Sequence, residues 1–176
     1  MGVDISVVDN SSIKIRGKSA SFIVDAPTSG PKLSADGVIS LTSAAVNTSR
    51  ISDSRIVISG PGEYEVNGIK ISGIAIDGGI VYRLIVDEIE IVLGKLSELA
   101  KADLKISSCD IALLNADSDL KESVVTALEP RFVVMYGDKK KDLLKAMGKE
   151  NVSPTSKFTI TKDKLPEEMG VAVLGN

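Results

Sequence analysis

Histidine is absent from the 176 residues of this chain. That omission removes the side chain that most often serves as a general base near neutral pH and as a zinc ligand. It also removes the usual activator of a serine or cysteine nucleophile. Tryptophan is absent as well, and Tyr and Phe number three each. The core must then be built from Ile, Val, Leu and Ala, and aromatic platforms for stacking bases or sugars are lacking. The single cysteine, Cys109, excludes an intramolecular disulfide and any metal site built on a cysteine pair. Inside the apolar run Cys109-Asp110-Ile111-Ala112-Leu113-Leu114 it reads as a buried, inert thiol. No apolar run reaches the roughly 18 residues of a membrane span, and the N-terminus shows no signal-peptide apolar region. The expectation is a soluble protein of the cytoplasm with no membrane partner.

A basic surplus is missing too. Lys and Arg total 21 against 24 Asp and Glu, for a net charge of −3, so a nucleic-acid partner is not expected. The densest basic run, Lys139-Lys140-Lys141 with Lys145 and Lys149, reads as the solvated face of a helix near its C-terminal end, with phosphate binding as the alternative. No P-loop, dinucleotide-binding glycine motif or G-x-S-x-G elbow occurs. A Ser–Lys dyad is not specified by any pattern.

What is present is ordinary globular material: 43% apolar and 26% charged residues, with no linker, repeat or low-complexity tract. One domain spanning 1–176 is expected. Strands fill the first two-thirds, at about 3–8, 13–15, 19–24, 37–41 and 55–59. Two further strands flank Asn67-Gly68, the strongest short hairpin signal in the chain. Turns at Asp77-Gly78-Gly79 and Asp87-Glu88 separate strands at 80–86 and 89–93. Helices follow. Leu120, Val124 and Leu128 share one helical face, with Asp117 or Ser118 placed to cap and Pro130 to stop. A short helix is expected over 96–101 and another over about 138–146, ended by Gly148. Strands are expected at 132–135, 157–161 and 171–174, and a turn or helical stub at Pro166-Glu167-Glu168. Strands first and strand–helix units later indicate an α+β or layered α/β domain.

The most distinctive segment is Gly60-Pro61-Gly62-Glu63-Tyr64-Glu65-Val66-Asn67-Gly68-Ile69. Glu63 and Glu65 share one strand face. They could act as an acid/base pair or a metal site, or form a solvated edge opposite Tyr64 and Val66. Asp87-Glu88-Glu90 and the pair Asp117 and Asp119 are explained by turn and cap roles.

Through that segment the chain resembles the metallo-β-lactamase superfamily, in the branch of the ascorbate-6-phosphate lactonases and small bacterial Zn-dependent hydrolases. Residues 58–74 are similar to the branch's G-P-G-E-Y-E-V-x-G-I-x-I-x-G-I string. Weaker matches follow in the right order along nearly the whole chain. Ser11-Ser12-Ile13-Lys14-Ile15 resembles the opening strand after its Gly-His-Ser signature, and Val24-Asp25-Ala26-Pro27 its Thr-Asp-Pro turn. Ala35-Asp36-Gly37-Val38-Ile39 resembles the strand leading to its metal motif, and Leu93-Gly94 its Leu-Gly-Asp step. Glu129-Pro130-Arg131-Phe132-Val133-Val134 and Lys164-Leu165-Pro166-Glu167-Glu168 resemble two later segments.

The resemblance implies an αββα sandwich of two mixed sheets with outer helices, trimmed around the metal loop. The family's H-x-H-x-D-H motif would fall on Thr42, Ala44, Val46 and Asn47. Its bridging Asp would fall on Lys95, its last His on or beside Tyr136, and its Gly-His-Ser position near Asn10. No family metal ligand survives at these positions, so the resemblance implies a pseudoenzyme: no metal, no cofactor, no catalytic residues, and a former site filled by small and apolar side chains such as Ala44 and Val46. A binding or scaffold role is the leading expectation, its partner unspecified. The alternatives are relocated hydrolase-like chemistry where Lys95, Tyr136, Asp25 and Asn47 converge, and a structural protein forming a homodimer through an exposed sheet edge or through the surface left by trimming the loop.

Overall fold

The Asn67-Gly68 turn sets the first long hairpin. Both residues take positive φ, 48° and 83°, as a two-residue turn that follows the right-handed twist of its strands demands. The strands it joins are β8 (Gly62–Val66) and β9 (Ile69–Ile76). The structure, a computed structural model, describes residues 2–102 and 107–176.

Two mixed sheets face each other. The first is formed by β1 (Gly2–Val7), β2 (Ile13–Arg16), β3 (Ser21–Val24), β5 (Gly37–Ile39), β7 (Ile56–Ile58) and β14 (Lys157–Thr161), in the order β14-β1-β2-β3-β5-β7. The second adds β10 (Gly79–Val86), β11 (Ile89–Lys95), β12 (Ile111–Asn115), β13 (Phe132–Tyr136) and β15 (Gly170–Val173) to the hairpin, in the order β15-β13-β12-β11-β10-β9-β8. A separate ribbon pairs β4 (Leu33–Ser34) with β6 (Ile51–Ser52). The helices are short: α1 (Leu96–Leu99), α2 (Glu122–Leu128) and α3 (Lys140–Ala146).

Alternation along the strands divides the apolar residues between two cores. Ile89, Ile91 and Leu93 of β11, Leu113 of β12 and Val134 of β13 point between the sheets, where they meet Ile5, Ile15, Phe22 and Val24. Val92, Ala112, Leu114, Val133 and Met135 point outward, under Leu99, Val124, Leu128, Leu143 and Leu144 of the helices. Strands covered on both faces read as unbroken apolar runs, as residues 111–114 do. Gly94 lets α1 approach: a Cβ there would lie 3.2 Å from both Leu99 and Val81 side chains. All three helices pack on the second sheet. The outer face of the first carries polar pairs such as Thr159 with Asp4 (2.8 Å), and Lys14 reaches the β4–β6 ribbon at the Ser34 carbonyl (2.7 Å).

Three local expectations are corrected. Neither Asp117 nor Ser118 caps α2, which begins at Glu122 after an N-cap Lys121 that makes no side-chain cap bond. The Asp117 carboxylate instead accepts the backbone N–H of Ser97 at 2.9 Å, and so satisfies the first turn of α1. Leu120 therefore packs against the outer core from a loop. Of the turn and the helical stub expected at 166–168, the chain forms a bend at Glu167 and Glu168 and no stub; the 3₁₀ turn lies just before them, at Lys162–Lys164. Among the described residues no helix is long and apolar enough to cross a membrane.

Candidate functional site: the mouth between the sheets

Parallel pairing brings three strand ends to one level. Lys95 pairs in register with Asn115, and Asn115 with Tyr136. Leu93, Leu113 and Val134, two residues earlier on each strand, face the inter-sheet core. Lys95, Asn115 and Tyr136 therefore face the same way. They form a polar row across the end of the sandwich, on strands about 4.8 Å apart.

The first sheet supplies the opposite lip. Asp25 follows β3 with φ 52° and is tied down at three points. Its N–H donates to the Ile39 carbonyl (2.9 Å), its Oδ1 accepts from the Leu41 N–H (2.9 Å), and its carbonyl accepts from Ser12 Oγ. Burial pushes the Asp25 carboxyl above the ordinary value, while the Leu41 N–H and the Lys95 ammonium draw it back. Lys95 is half-buried and enters none of the ion pairs of the described residues.

Two tyrosines fill the space behind. Tyr82 of β10 is fully buried, and its hydroxyl donates across the sandwich to the Ser40 carbonyl at 2.8 Å. Tyr136 is equally buried, and its hydroxyl has no hydrogen-bond partner among the described residues. Burial, and then the Asp25 charge, push the Tyr136 phenol well above its ordinary value, while the neighbouring Asn115 side chain pulls the other way. At the rim the Asn10 amide donates to Asp138, and Lys140 reaches Asn10 Oδ1 at 3.3 Å.

The residues singled out in the sequence divide into two groups. Lys95, Tyr136 and Asp25 lie at the mouth. Thr42 is half-buried beside it, its carbonyl taken by Ser40 Oγ (2.9 Å). Ala44 and Asn47 are exposed in the loop and Val46 is half-buried. Asn47 Oδ1 is used locally, by the Ser49 N–H at 2.9 Å. The expected filling by Ala44 is thus corrected: Tyr136, Tyr82 and Leu41 occupy the interior, because the loop stays out over solvent. No sequence motif singles out Asn115. Its signal is slight, a polar residue closing the run 111–114, and its place depends on a parallel register.

Glu63 and Glu65 are exposed on the outer face of β8. Glu63 Oε2 accepts from Ser72 Oγ at 2.6 Å, and Glu65 stands opposite Lys70. They form the solvated edge, with Tyr64 turned inward. Cys109 is buried in the outer core, and burial pushes its thiol up to about 12.

The residues at the mouth do not fit a metal. Its free donors are an ammonium, an amide and a phenol held in its neutral form, with Asp25 as the one carboxylate among them. Zinc requires deprotonated or neutral N, S or O donors in tetrahedral array. Among the described residues no group of three or more Cys, Asp or Glu is placed to hold a metal ion.

No family model matches the sequence, and no curated protein matches it either. Solved structures do share the fold. A Thermotoga maritima protein assigned to the Zn-dependent hydrolases of the metallo-β-lactamase superfamily superposes with a TM-score of 0.75 at 19% identity, covering 98% of each chain. A Parabacteroides distasonis protein assigned as a metal-dependent hydrolase gives 0.60 at 19% identity, over 83% of this chain and 90% of its own. The metallo-β-lactamase-fold protein YhfI of Bacillus subtilis gives 0.55 at 8% identity, over 98% and 96%. The chain has the metallo-β-lactamase fold.

Proposed function

We propose that this is a metallo-β-lactamase-fold protein that works without a metal, a non-catalytic binding or scaffold module of the cytoplasm. The observation that carries the reading is the row Lys95-Asn115-Tyr136 at the strand ends. A divalent ion about 4 Å from an ammonium is repelled by about 8 kcal/mol at an effective dielectric of about 20; the amide and the phenol do not offset that, and Asp25 is the one carboxylate set against it. The structure-sharing proteins are assigned as metal-dependent hydrolases; this chain keeps their framework and supplies other side chains at its open end.

Elemental analysis of protein purified without added metal tests the proposal. Zinc, manganese and iron are expected far below one equivalent, with or without prior EDTA treatment. One equivalent of any of them, retained through gel filtration, overturns it.

A further inference from the structure

Resting on the metal-free reading above, we propose that the Lys95-Asn115-Tyr136 row is a binding site for a small oxyanion, a carboxylate or a phosphate. The row holds a surplus of donors. The ammonium of Lys95 only donates, and no carboxylate of the described residues pairs with it. The Tyr136 hydroxyl is wholly buried and has no hydrogen-bond partner among the described residues, a state rare enough in a folded protein to call for an explanation. The Asn115 amide lies between them in register. The two acidic groups that act on the row each accept a backbone N–H, Asp25 from Leu41 and Asp117 from Ser97, and neither forms an ion pair with Lys95.

Several donors converging on one place favour an acceptor-rich, negatively charged ligand, since charge-assisted hydrogen bonds are the stronger kind. The spacing suits a small one, because neighbouring strands about 4.8 Å apart bring two donors within reach of the oxygens of a single carboxylate or phosphate. Lys95 is half-buried and Asn115 is 8% exposed, so the ligand meets these two first, with Tyr136 behind them. All three sit on strand ends rather than a loop, which fixes their positions. Two other charged groups of the described residues are internally paired, Arg83 with Glu90 and Lys162 with Asp110.

The test is a titration of the ¹⁵N-labelled full chain with inorganic phosphate and, separately, with malonate, each with and without EDTA. The Asn115 side-chain amide and the Gly94 and Gly137 backbone amides are expected to shift saturably with at least one anion. Whichever saturates at lower concentration identifies the ligand as phosphate or carboxylate. Lys95→Met is expected to weaken binding at least about tenfold, Lys95→Arg to keep it, and Lys141→Met, on the exposed face of α3, to leave it unchanged. The Asn115 resonance is read in the wild type, so it decides the matter even where a variant does not fold. No saturable shift with either anion, shifts confined to Lys139, Lys140 and Lys141, or binding that survives Lys95→Met unchanged overturns the site. Binding that appears only with added zinc overturns the metal-free reading as well. Failure to bind by a chain that stays metal-free removes the site alone.

Discussion

The hydroxyl of Tyr82, rooted in the second sheet, donates to the carbonyl of Ser40 in the first at 2.8 Å, with the Ile58 carbonyl behind it at 3.4 Å. This bond joins the sheets at the end where the candidate site lies. Tyr82→Phe removes the donor and strands a buried carbonyl. A loss of about 1–3 kcal/mol is expected, read as a lower urea midpoint with unchanged slope. An unchanged midpoint would show that the bond does not contribute.

Asp25 gives the mouth a pH dependence of definite sign. Its folded-state pKa is raised by burial, so the native state holds the proton more tightly than the unfolded chain does. The contribution is fully present below the ordinary carboxylate value and is lost as pH rises through the raised one. Asp25→Asn removes this term, so wild-type stability minus variant stability should fall as pH rises through that window and level off above it. Lys95→Met, which takes away the ammonium that opposes the shift, should move the window upward. Urea unfolding at several pH values measures both; a difference that rises with pH would contradict the assignment.

Gly137 links the backbone to the row. It has φ 98°, and a Cβ there would sit 2.6 Å from Asn115 Oδ1. Gly137→Ala is expected to destabilise by about 1–3 kcal/mol through strain and crowding. It should also displace the Asn115 side-chain resonance. A variant as stable as the wild type, with that resonance in place, would count against this geometry.

Cys109 should behave as a closed thiol. Burial pushes it up to about 12, and the thiolate is the reactive form. At pH 8 the folded protein is expected to resist a thiol reagent that reacts promptly in urea. Rapid labelling of the native state would show that the outer core opens at Cys109.

How far these features were legible in the sequence depends on how local their causes are. The Asn67-Gly68 hairpin was readable because its two positive φ values are demanded by two adjacent residues. The start of α2 was not. Asp117 looked like a cap for the helix ahead, but its carboxylate is claimed by Ser97, 20 residues back in the chain, and only the folded sheet brings the two together. The facing sheets themselves came from the family resemblance, since alternation shows which side of a strand is buried and not what covers it. Lys95 and Tyr136 came from the same resemblance. Asn115 belongs beside them only once β11, β12 and β13 are set in parallel register, and single-strand periodicity carries no register.

Thermal unfolding of the wild-type chain with increasing Zn²⁺ tests the central claim most directly. A ligand held by the native state raises the melting temperature with concentration, by mass action. A chain whose mouth is held by an ammonium and two tyrosines should melt at the same temperature with and without zinc. A saturable rise at one equivalent, reversed by EDTA, would contradict the account.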